Sequence, residues 1–88
     1  MQKYDVSIEY CVQWNYTPRA VGAAAELLNN YTQVIESFRL IPSSGGKFEV
    51  MAGDTLVYSK KAEGRHVEEG ELLGLFQQKL GVAPTPRE

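Results

Sequence analysis

One thiol, Cys11, and the sole tryptophan, Trp14, stand in the run Ile8-Glu9-Tyr10-Cys11-Val12-Gln13-Trp14-Asn15-Tyr16, with tyrosines on either side. A lone cysteine cannot close a disulfide within its chain. A single thiolate nevertheless suffices for thiol–disulfide exchange, because a small thiol such as glutathione can resolve the mixed disulfide. Place decides reactivity: cysteines near helix N-termini meet unpaired backbone N–H groups and the positive end of the helix dipole, and there they ionise below the free value of about 8.5. Cys11 is therefore the candidate redox residue. The competing reading makes it a small buried hydrophobe at a strand end. Trp14, Tyr10 and Tyr16 form a candidate contact surface, since clustered aromatic rings are enriched at binding hot spots. Packing over the edge of the core is the default use of such rings.

Two cations enter the same question. His66, the only histidine, would assist Cys11 as a base or ion partner if the fold brought them together, but its polar neighbours read as an exposed loop without a role. Arg19 would raise the local positive potential near the motif, although solvated helix arginines are the commoner case.

The elements that must position these residues are legible in the pattern. Val6, Ile8 and Tyr10 alternate with Ser7 and Glu9, which predicts a strand ending just before Cys11. Thr17-Pro18 reads as an N-cap followed by proline at the first helical position. The helix continues over residues 19–31, with Val21, Ala24, Ala25 and Leu28 on an apolar stripe that Ala20, Leu27 and Tyr31 widen, and Asn29-Asn30 near its end. Val34, Phe38 and Leu40 share a face of a second strand over residues 33–41, which the turn residues Pro42-Ser43-Ser44-Gly45-Gly46 interrupt. Gly45-Gly46 reads as a turn, not a phosphate loop, because a strand follows it where a helix N-terminus would be needed.

Phe48, Val50 and Ala52, then Leu56 and Tyr58, form a hairpin across Gly53-Asp54. Residues 60–64 read as a polar connector. Leu72, Leu73, Phe76 and Leu80 then recur at helical spacing, with Glu68, Glu69 and Glu71 at the start, Lys79 near the end and Gly81 closing the helix. The order β-α-β-β-β-α predicts an α+β fold of thioredoxin-like type: a four-stranded mixed sheet with two helices packed on it. Other small arrangements of two helices and four strands share this periodicity. The expected organisation is one domain over residues 1–82 and a short, frayed C-terminal tail at 83–88.

Composition bounds the function classes. The 88 residues suffice for one hydrophobic core. With 43% hydrophobic and 23% charged residues the usage is that of a globular domain, not of a disordered or membrane-spanning chain. A net charge of -2 leaves no basic excess for a phosphate backbone, so nucleic acid is not an expected partner. One cysteine excludes a disulfide-stapled scaffold, and one His beside one Cys argues against a zinc cluster. Asp5 falls where a signal peptide would carry its apolar run, so the expected compartment is the cytoplasm.

The run from Ile8 to Tyr16, followed by Arg19-Ala20 and Glu26-Leu27-Leu28, resembles the selenoprotein W-like branch of the Rdx family, the group that also includes selenoproteins T and H. Pro42-Ser43-Ser44-Gly45-Gly46-Lys47-Phe48-Glu49-Val50 is similar to that family's second turn, and Tyr58-Ser59-Lys60-Lys61 with Glu63-Gly64-Arg65 to its third signature. The resemblance implies a thioredoxin-like fold and a role in cell redox homeostasis through a Cys-x-x-Cys or Cys-x-x-selenocysteine pair. Laid on this sequence, the first member of the pair is Cys11 and the second falls on Trp14, which has no thiol. A second departure is Arg65-His66-Val67-Glu68, where the family more often continues with phenylalanine and proline.

The dithiol cycle is thus unavailable to this polypeptide alone. Two functions stay open: a monothiol role in which Cys11 forms a mixed disulfide with glutathione or a protein thiol, and a non-enzymatic protein-interaction module that has lost the redox pair and presents Trp14. Neither needs a metal or an organic cofactor, and glutathione enters only as a thiol co-substrate. A homodimer linked through Cys11 is a third arrangement, behind these two.

Overall fold

Alternation along the first strand does sort its side chains between two environments. In β1 (Tyr4–Cys11), Val6, Ile8 and Tyr10 are buried while Asp5 is exposed and Ser7 and Glu9 are half-buried. The computed structural model describes residues 2–85. After β1 come α1 (Thr17–Tyr31), a 3-10 turn (Thr32–Val34), β2 (Ile35–Ser43), β3 (Phe48–Ala52), β4 (Thr55–Ser59), a short α2 (Lys60–Glu63) and α3 (Glu71–Leu80). The sheet order is β2-β1-β3-β4. β1 runs parallel to β2, with Ile8 beside Leu40, and antiparallel to β3, with Ile8 beside Val50. β3 and β4 form the antiparallel hairpin. This is the α+β, four-stranded mixed sheet that the element order predicts, with α1 and α3 packed on it.

Several boundaries differ from the sequence reading, each for a physical reason. The cap of α1 is Tyr16 and not Thr17, so Pro18 is the second helical residue. A tight turn causes the shift: Asn15 adopts φ 60°, Tyr16 N–H donates to the Cys11 carbonyl, and Ala20 N–H then makes its helical bond to Tyr16. The buried stripe of α1 is Ala20, Ala24, Leu27 and Tyr31, and Val21 and Leu28 face outward. Tyr31 anchors this face: its ring packs on Phe76, and its hydroxyl shares its one proton between the carbonyls of Leu73 and Val82, both at 3.0 Å. Val34 is buried in the 3-10 turn, and β2 begins one residue later and runs on to Ser43. Pro42 is tolerated there because β2 is an edge strand.

The segment read as a polar connector contains α2. The Ser59 hydroxyl caps it by accepting from Ala62 N–H, and Gly64 closes it at φ 75°. α3 buries Leu72 and Phe76 and ends at Gly81, whose N–H donates to the Gln77 carbonyl. Thr85 N–H donates to the Asn30 carbonyl at 2.7 Å, which ties residues 82–85 to the end of α1; residues 86–88 of the expected tail lie outside the described residues. Among the described residues no helix is long and apolar enough to cross a membrane.

Candidate functional site

Cys11 is the last residue of β1, beside Ser43 of β2. Its N–H donates to the Lys47 carbonyl at 2.8 Å, and its carbonyl accepts from Tyr16 N–H at 3.1 Å. The next residue, Val12, donates to the Ser43 carbonyl at 3.0 Å. These bonds hold the strand end against both the β2–β3 turn and the start of α1. The free thiol is fully enclosed, at 0% exposure, in the same apolar cluster as Tyr10, Tyr16 and Phe48.

The exposed loop of residues 12–15 carries the aromatic motif out of the core, and the three rings divide. Trp14 is 60% exposed, whereas Tyr10 and Tyr16 are 8% and 7% exposed. Trp14 meets Tyr16 edge-on, with ring centroids 6.2 Å apart. Its other neighbour is the backbone of Gly46 in the β2–β3 turn. A Cβ placed on Gly46 would lie 2.6 Å from Trp14 Cζ3, so the glycine is what lets the indole settle there.

The structure brings His66 to this end of the molecule, where the sequence suggested an exposed loop. Its ring lies edge-on to Tyr16 at 4.5 Å and to Phe48 at 6.2 Å, and its Nδ1 is buried without a hydrogen-bond partner. The segment is turned inward by its neighbour. The Tyr58 hydroxyl donates to the Arg65 carbonyl, and the Arg65 guanidinium makes paired bonds of 2.9 and 2.6 Å to the Glu71 carboxylate. Burial pushes the His66 imidazole below its ordinary value, and the positive charges of Arg19 and Lys60 push it further down. Arg19 is itself exposed, on the first turn of α1.

Between Trp14 and α2 lies a groove of ≈ 650 Å³, lined by Gly45, Gly46 and Phe48 and by the charged residues Lys47, Glu49, Lys60 and Lys61. Lys60 Nζ stands 5.9 Å from the centre of the Tyr16 ring, within cation–π range. A second groove of ≈ 360 Å³ crosses α1 beside Arg19 and Glu26 and faces Glu68 and Glu69, with charges of both signs. Among the described residues no three His, Cys, Asp or Glu side chains group where they could hold a metal ion.

Sequence reasoning did not assign Gly46, Lys47, Lys60 or Lys61 to this site. Gly45-Gly46 read as turn chemistry and the lysine pair as connector; the one local signal, Ser59 capping ahead of Gly64, reveals α2 but not what α2 faces. Their meeting with Trp14 depends on how the β2–β3 turn and α2 pack.

The chain matches the model of the Rdx family over residues 5–78. It is similar to the crystal structure of a selenoprotein W-related protein from Vibrio cholerae, with 29% identity and a TM-score of 0.77 over 91% of this chain and 95% of that one. The crystal structure of a protein from Bordetella parapertussis, 23% identical, shares the fold with a TM-score of 0.81 over 88% of this chain and 98% of that one. No curated protein matches the chain.

Proposed function

The chain belongs to the Rdx family and has a thioredoxin-like fold with one cysteine, and from that premise we propose that it acts as a protein-interaction module centred on Trp14. The observation that carries this reading is the contrast between Cys11 at 0% exposure and Trp14 at 60%. A disulfide must approach a thiolate sulfur directly, and in the closed fold this sulfur has no open side. The indole offers what a hot spot needs: a large, rigid, amphipathic ring held against a glycine turn. Truncating such an anchor at the centre of an interface costs about 2 kcal/mol or more, roughly thirtyfold in affinity.

The test is capture of protein partners on immobilised wild type, Trp14→Ala and Cys11→Ser, with and without reductant. Partners lost with Trp14→Ala, kept with Cys11→Ser and indifferent to reductant are the expected result. Partners that survive Trp14→Ala but vanish with Cys11→Ser or with reductant would overturn the proposal.

A second reading is favoured by the loop itself. Residues 12–15 follow Cys11 directly and are exposed throughout, fixed by the Val12–Ser43 and Asn15–Val12 backbone bonds. Opening of the fold around Cys11 would free the thiol for monothiol exchange: the Cys11 thiolate attacks one sulfur of oxidised glutathione, a mixed disulfide forms, and one glutathione thiolate leaves. A second glutathione thiolate returns Cys11 to the thiolate and regenerates oxidised glutathione. Intact mass after incubation with oxidised glutathione, with Cys11→Ser as the control, tests this step. Monothiol exchange calls for a reducing compartment such as the cytoplasm, where a lone thiol stays reduced.

A further inference from the structure

Resting on the reading of Trp14 as a contact residue, we infer that the groove beside it receives an acidic segment of a protein partner, with an apolar side chain seated against the indole and carboxylates against Lys60 and Lys61. The chain as a whole carries a net charge of -2, yet the rim of this groove is basic. Its lysines are Lys47, Lys60 and Lys61, and Glu49 is the carboxylate that lines it. Glu49 accepts from the Ser59 hydroxyl at 3.1 Å and keeps its negative charge, so three cations stand against one carboxylate in the groove. Lys47 has a partner outside the groove in Glu9, at 3.3 Å. Among the described residues neither Lys60 nor Lys61 forms an ion pair, and the ammonium of Lys60 faces the Tyr16 ring instead.

Position fits the same occupant. The two cations sit on α2, and Gly45 and Gly46 contribute backbone alone to the lining beside the indole. A volume of ≈ 650 Å³ accommodates a few side chains of an extended segment. Carboxylates arriving here meet two ammonium groups that pair with no carboxylate among the described residues, and this local excess of cations favours an acidic segment over a basic one. A polyphosphate chain fits less well, because the rest of the surface has no basic excess to follow its backbone.

The experiment uses the full chain and its only tryptophan, Trp14, as the reporter. Trp14 fluorescence is titrated with a capped peptide of glutamates flanking one leucine, with the same peptide carrying glutamines, and with a thymidine oligonucleotide. Calorimetry repeats the titrations on Trp14→Ala. The expected result is saturable binding of the glutamate peptide that falls about tenfold with the glutamine peptide, with the paired Lys60→Gln and Lys61→Gln substitutions, and with added salt. Circular dichroism checks that the exchanged lysines leave α2 folded.

Equal binding of the two peptides, lost in Trp14→Ala, would overturn the acidic specificity and leave Trp14 as a contact residue. Binding of the oligonucleotide in preference to the glutamate peptide would also overturn it. Failure of both peptides on wild-type protein would overturn the groove as the docking site. Partner capture by Trp14→Ala, which assumes nothing about charge, judges the underlying reading separately.

Discussion

The Trp14 indole fills the space that a side chain on Gly46 would need: a Cβ there would lie 2.6, 3.0 and 3.1 Å from three of its ring carbons. Gly46 also has φ 76°, a conformation that costs a residue with a Cβ about 1–2 kcal/mol. Gly45 has nearly the same backbone, φ 74°, with nothing within 4 Å of its Cβ position. The two alanine variants therefore separate strain from collision. Gly45→Ala is expected to lower stability by about 1 kcal/mol and leave Trp14 emission unchanged. Gly46→Ala is expected to add displacement of the indole, read as a shift in emission and weaker partner binding.

Cys11 is expected to resist alkylation in the folded protein and to react completely in denaturant. Intact mass after timed exposure to an alkylating reagent checks this. Cys11→Ser puts a hydroxyl in an apolar site and is expected to cost about 1–3 kcal/mol in urea unfolding, more than Cys11→Ala if that hydroxyl finds no partner. Rapid native labelling would instead mean that the fold opens readily around Cys11, which is the condition that monothiol exchange requires.

The bidentate Arg65–Glu71 pair gives the protein an acid limb. The Arg65 guanidinium and the Glu68 backbone N–H hold the Glu71 carboxyl down at about 2 from an ordinary 4.5. A carboxyl lowered by folding contributes stability that is complete above 4.5 and is lost as pH falls toward 2. Melting temperatures measured across that interval are expected to fall with acid, and Glu71→Gln is expected to flatten this part of the curve while lowering stability at neutral pH.

His66 adds a limb at higher pH. Its imidazole titrates below an ordinary 6.5 because burial, then Arg19 and Lys60, disfavour the cation. Folding therefore prefers the neutral ring, so this contribution is complete above 6.5 and is lost as pH falls below it. His66→Phe retains the edge-on contacts with Tyr16 and Phe48 and removes the unpartnered Nδ1. It is expected to erase the slope just below pH 6.5 and to gain about 1 kcal/mol at mildly acid pH, as followed by thermal melting.

The fold was readable because its signals are local. Alternation along Val6, Ile8 and Tyr10, the Gly53-Asp54 hairpin turn and the Gly81 stop each act within a few residues, and together they define the element order. Where the pattern had two solutions it misled. Val21 and Leu28 lie on an apolar stripe as regular as the one that is buried, and the choice rests on tertiary contacts such as those of the Tyr31 hydroxyl with the Leu73 and Val82 carbonyls. His66 looked solvated because the rings that cover it, Tyr16 and Phe48, are remote in the chain.

The candidate site divides along the same line. Composition alone excludes a dithiol cycle within the chain, since Cys11 is the single cysteine and Trp14 stands where a second redox centre would be. The seating of the indole on Gly46, the closure of the core over Cys11 and the facing of Trp14 by Lys60 and Lys61 arise from contacts between segments distant in sequence. Periodicity records which way a side chain leaves its own strand or helix; it carries no record of which distant surface meets it, and that meeting sets burial, charge and access at this site.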